Sequence, residues 1–192
     1  MQASETKPKR QRDIRLDFFR GLCLFIIFVA HVYGNAWAAW IPARFGFSDA
    51  TEIFVFCSGM ASAIAFGTVF EKRGMALGIA RIAHRIWQVY WAHIGVFLVA
   101  LAIMVAADLW LDAGTSYRAG LMMEPLFDDR APLAVLGLVS LTYVPPFFDI
   151  LPMYLVILVL VPAVVAAARL GRDYAIALVV GTWLVSAFGV LE

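Results

Sequence analysis

Charge is scarce in this chain. Asp, Glu, Lys and Arg make up 15% of its 192 residues, against 63% apolar, and the mean hydropathy is +0.85. An ordinary soluble domain carries about 25% charge, so that class is excluded and an integral membrane protein is expected. The net charge of +1 says little about partners by itself, and no nucleic-acid partner is expected. Cysteine is also sparse. Cys23 and Cys57 both fall inside apolar runs, where buried free thiols are the common case, so neither a disulfide framework nor redox chemistry follows. Several motifs are missing as well. No Gly-rich phosphate loop precedes a lysine, and no Gly-x-Ser-x-Gly elbow or dinucleotide pattern occurs. No His, Cys or carboxylate set has metal-ligand spacing, so no metal is expected. There is no internal repeat.

What remains is a set of apolar runs and a few polar groups placed within them. Residues 1–15 hold Lys7, Lys9, Arg10, Arg12 and Arg15 against Glu5 and Asp13, which predicts a polar cytoplasmic tail. The segment after it is too long for the apolar core of a signal peptide and lacks a small-residue cleavage site, so it reads as an uncleaved first span over 16–39. Tyr33, Trp37 and Trp40 mark its outer end at the headgroup level. Further spans are predicted over 51–70, 86–107, 150–168 and 174–191, five in all. A basic amphipathic stretch over 75–87 lies at the cytoplasmic surface or leads into the third span. Residues 133–144 are too few to cross about 30 Å of hydrocarbon and predict a short re-entrant or interfacial outer helix. The loop over 108–130 sets Asp108, Asp112, Glu124, Asp128 and Asp129 against Arg118 and Arg130, five negative and two positive, and should face away from the cytoplasm. The expectation is an all-α polytopic bundle with its N-terminus inside and residues 16–192 forming one transmembrane domain.

Three constellations are candidates for chemistry. On the first span, ten uncharged residues separate Arg20 from His31. Eleven steps of about 100° return the two side chains to within roughly 20° of one another, about 16 Å apart along the axis. A histidine within a span serves as a general base when it is kept neutral, or else it bonds a neighbouring hydroxyl or carbonyl and ties helices together. Arg20 either joins it as a site residue or snorkels to the inner headgroups. The pair predicts a polar passage inside the bundle.

The second constellation is FSDATEIFVFCSGMAS, residues 47–62. Asp49 and Glu52 make either a carboxylate pair at the outer mouth or a helix cap with dipole complementarity. Ser58 and Gly59 suit close helix packing through small residues. The third is Arg81, His84 and Arg85, which suits phosphate or pyrophosphate binding at the cytoplasmic face or plain attraction to lipid headgroups. His93 falls on the opposite face and is expected to be structural. Asp149 is either a cap for the fourth span or an outer polar group.

RLDFFRGLCLFIIFVAHV, GFSDATEIFVFCSGM, RIAHRIWQVYWAHI and FDILPMYLVILVLVP together resemble the OpgC family, which is linked to succinylation of osmoregulated periplasmic glucans, within the membrane acyltransferase-3 superfamily. The resemblance runs from about Arg12 to Pro162. It implies an O-acyltransferase of the bacterial inner membrane that takes an acyl group, succinyl in this family, from acyl-CoA on the cytoplasmic side and passes it to a glucan hydroxyl outside, with no bound cofactor. It also implies His31 as general base with Arg20 as its partner, and Arg81 and Arg85, with His84, at the CoA phosphates. The superfamily carries Arg-x-x-Arg there, whereas this chain has Arg-x-x-x-Arg. Asp49, Glu52 and Asp149 would meet the sugar. Family members have about twice as many spans, so the chain is expected to be the first half of one. The competing class is a proton-coupled transporter with His31 as relay and Arg20 as an anion site. Its mark would be broken helices at the midplane, whereas Pro145, Pro146 and Pro152 lie near the outer end.

Overall fold

The computed structural model describes residues 14–32, 34–111, 114 and 116–188. Among them every regular element is helical: α1 (Ile14–His31), α2 (Ala50–Trp110), α3 (Tyr117–Gly120), α4 (Ala131–Ser140), α5 (Ile150–Leu170) and α6 (Arg172–Ala187), with 3-10 turns at Ala36–Ala39, Pro42–Arg44 and Glu124–Leu126. The all-α expectation is met. Residues 1–13 of the expected tail, Tyr33, Asp112 and the end of the last expected span lie outside the described residues, and Ile14 and Arg15 already belong to α1. The chain divides into two units, residues 1–61 and 62–192.

In the first unit α1 stops at His31, short of residue 39. Asn35 is the reason. Its Nδ2 donates to the carbonyls of Val29, at 2.8 Å, and Val32, taking acceptors the helix would need to continue. Its Oδ1 accepts from the Ala38 amide at 3.0 Å and starts the next turn. Cys23 and Ile27, four residues apart, are the buried positions of α1. Ala50, Phe54 and Cys57 repeat the helical spacing at the start of α2.

In the second unit α2, 61 residues long, breaks at Gly74 (φ 82°, ψ 175°). Only glycine adopts that conformation without strain. The chain turns far enough for the Phe70 ring to lie against Gly78, where a β-carbon would collide with the ring. In a straight helix residues eight apart are separated by about 12 Å along the axis. The Phe70 carbonyl, four residues before the break, accepts from Arg169 of α5 at 2.7 Å. Phe70, Ile82 and Val89 then pack with Leu155 and Leu158 of α5. The far half of α2 builds a second cluster from Ile94 and Phe97 with Met123 and Leu138. Tyr90 reaches α4 by donating to the Val139 carbonyl at 2.9 Å. α6 follows Gly171 and packs on α5.

Two of the described helices, α2 and α5, are long and apolar enough to cross a membrane. Their most apolar windows are only 17% and 11% buried, so they are not the core helices of a soluble domain, which hide such surface. α1 has 18 residues but carries Arg15, Asp17 and Arg20, and α6 has 16. The five expected spans are therefore two helices that meet the length and composition test. One of them, α2, contains both the second and third expected spans on either side of Gly74, with the basic stretch continuous with the third.

The acidic excursion after α2 is knotted by side chains. Asp108 accepts from the Tyr117 amide at 2.6 Å, from Arg118 Nε at 2.5 Å and from Ser116 Oγ at 3.1 Å. Arg118 also lies over the Phe127 ring, 4.7 Å from its centroid. α4 has the expected short length and ends at Leu141 in the left-handed region, with the Thr142 and Tyr143 amides both returning to the Gly137 carbonyl.

Candidate functional site

The first unit holds Arg20, His31, Asp49 and Glu52. Arg20 and His31 occupy one helix at the predicted spacing, but His31 is the last residue of α1 and is exposed, rather than set within a longer span. Arg20 is half-buried, and its guanidinium carbon lies 5.7 Å from the centroid of the Phe54 ring, an attractive cation–π contact. Its Nε is buried with no hydrogen-bond partner among the described residues. Asp49 Oδ1 accepts from the amides of Thr51 at 2.8 Å and Glu52 at 3.1 Å, which is capping geometry. Glu52 is exposed in the first turn. Ser58 is buried, as small-residue packing requires, but its hydroxyl also lacks a partner among the described residues.

The second unit holds Arg81, His84, Arg85 and Asp149. The three basic residues share an exposed face of α2. Gln88, which sequence reasoning passed over, joins two of them: Arg85 Nη1 donates to its Oε1 at 3.3 Å, and its Nε2 lies 3.2 Å from His84 Nε2. The signal available was its place one turn beyond His84 and Arg85. Gln88 thus ties two of the three basic side chains together on the exposed face. Asp149 occupies the cap position of α5 but makes no side-chain cap hydrogen bond, and it is exposed. His93 is buried, and its Nε2 has no partner among the described residues.

Each unit has an apolar groove. One of about 400 Å³ lies beside α1 and is lined by Phe25, Val29, Trp37 and Trp40. One of about 930 Å³ lies between α2, α4 and α5 and is lined by Trp87, Tyr90, Trp91 and Val139, with Pro152 and Leu155. Neither is lined by a candidate site residue. Among the described residues no group of His, Cys, Asp and Glu is arranged to hold a metal. Outside the apolar helices, Asp128 is held below the usual carboxylate range by hydrogen bonds from the Arg130 side chain and amide.

A family model described as OpgC protein matches residues 12–192. No curated protein and no solved structure matches the chain.

Proposed function

Because the chain belongs to the OpgC family, we propose that it is a membrane O-acyltransferase that passes an acyl group, succinyl in our reading, from acyl-CoA to hydroxyls of periplasmic glucans in the bacterial inner membrane. The observation that carries this is the family match, which takes in the Arg20 to His31 helix, the 47–62 block and the basic stretch at 81–85 together. In this reading the polypeptide crosses the membrane five times, with its N-terminus in the cytoplasm. The two arms of α2 make separate crossings, and α1 and α6 are the short ones.

The reaction needs a base, a donor site and an acceptor site. His31 takes the proton of the glucan hydroxyl as its oxygen attacks the thioester carbonyl carbon. The carbon–sulfur bond breaks, the CoA thiolate takes up that proton, and an ester and a free thiol result. Arg81 and Arg85, with His84, hold the phosphates of CoA. Arginine at both ends of that set provides bidentate donors that lysine would not, and Gln88 fixes two of the three side chains. Glu52 and Asp149, both exposed, and the cap residue Asp49 bind sugar hydroxyls outside. Holding donor and acceptor at fixed places replaces a bimolecular encounter with a positioned one. Changing His31→Ala in the full-length protein is expected to abolish glucan acylation, read by mass spectrometry of periplasmic glucans, with an unchanged amount of protein in the membrane. Acylation that persists would remove His31 from the role of base.

A further inference from the structure

Two polar atoms in the first unit are buried without a hydrogen-bond partner among the described residues, Arg20 Nε and Ser58 Oγ. Native interiors satisfy nearly all such groups, so each calls for an explanation. Asp17 stands one turn earlier on α1 and still leaves Nε without an acceptor. The Phe54 ring beneath the guanidinium attracts its charge but cannot occupy the in-plane Nε–H. Phe54 and Ser58 are four residues apart, both buried on one face of α2, so the open hydroxyl belongs to the same side of that helix as the residue on which Arg20 rests. Cys23 and Ile27 of α1 and Ala50 and Cys57 of α2 are also buried in this unit, and all are apolar or weakly polar. The first unit thus holds a cationic donor and a hydroxyl among mostly apolar buried side chains.

We propose that Arg20 and Ser58 form a carboxylate pocket that receives the free end of a dicarboxylic acyl group while the group is transferred, and that Arg20 thereby sets acyl-group choice. This rests on the acyl-transfer reading above. The chemistry points to a carboxylate rather than a phosphate. A guanidinium edge presents two parallel N–H donors to a planar anion, a hydroxyl adds a third, and the single guanidinium balances one negative charge. An apolar lining also suits the methylenes that join a terminal carboxylate to its thioester. Low local polarity makes the pocket selective, since a neutral methyl end would leave both donors unpaired.

The test compares two donors in membranes containing the full-length protein: succinyl-CoA and butyryl-CoA, which has the same four-carbon chain without the terminal carboxylate. Wild type is expected to favour succinyl-CoA in kcat/KM. Arg20→Met is expected to reduce the succinyl-to-butyryl ratio roughly a hundredfold, and Ser58→Ala about tenfold. Arg20→Lys, which keeps the charge and loses the planar fork, should fall between wild type and Arg20→Met. Immunoblotting of the membranes controls for protein amount. If Arg20→Met slows both donors by the same factor, or is inactive with both while present at the wild-type amount, the carboxylate pocket is wrong. Succinyl transfer by wild type would in that case leave the acyltransferase reading standing. If wild type prefers butyryl-CoA, the pocket is also wrong. If wild type transfers neither group, the acyltransferase reading fails and the pocket with it.

Discussion

The polar residues of the excursion after α2 and the two residues Arg20 and Ser58 are treated in opposite ways. In the excursion Asp108 satisfies three donors from Ser116, Tyr117 and Arg118, Asp128 holds Arg130 through two side-chain contacts and an amide, and the Tyr143 hydroxyl donates to the Met122 carbonyl at 2.7 Å. Around α1, Arg20 and Ser58 each keep a buried atom with nothing to bond among the described residues. A paired polar group stabilises a fold, whereas an unpaired buried one costs stability. The excursion thus uses its polarity to hold an irregular chain in place, and Arg20 and Ser58 keep theirs available for a ligand.

Substitution tests that contrast directly. Asp108→Ala should have the largest effect on stability. It removes one acceptor shared by three donors, and the excursion should open to limited proteolysis at concentrations of protease that leave wild type intact. Unchanged cleavage would show that the apolar cluster of Met123 and Leu138 holds the segment by itself. Ser58→Ala should act in the other direction and raise thermal stability in detergent by about 1 kcal/mol, because it deletes an unsatisfied hydroxyl from a buried position. A loss of stability would mean that Ser58 is bonded. The smallest effect is the pH dependence of the Asp128 to Arg130 pair. Hydrogen bonding to Arg130 lowers the folded pKa of Asp128, so the contribution is present above the unfolded carboxylate pKa and is lost as pH falls through the folded one. Asp128→Asn should flatten that acidic slope slightly, measured as the difference in melting temperature between neutral and acidic buffer.

Much of the helical layout was legible from residue patterns. The expected span over 51–70 ends four residues before Gly74, where α2 breaks, and the brevity of 133–144 predicted a helix like α4. Asp49 was readable as a cap, and the structure shows the cap made. The end of α1 was missed because hydrophobicity continues past His31, while the stop is set by Gly34 and the side chain of Asn35. A Gly-Asn pair is a recognised helix-stop signal, and it was outweighed by the aromatics that follow. The Asp108 knot spans eight to ten residues of irregular chain, a pairing that no periodicity records. For the candidate site, sequence put Arg20 and His31 on one helix and grouped Arg81, His84 and Arg85. Gln88 as the link between two of them, and the open valences of Arg20 and Ser58, depend on rotamers and packing that only coordinates supply.

The hydrogen bond from Arg169 to the Phe70 carbonyl joins residues 99 positions apart in the chain. During synthesis the reversal at Gly74 therefore leaves the ribosome long before its clasp exists. The bend at Gly74 is thus without this clasp until α5 has been delivered.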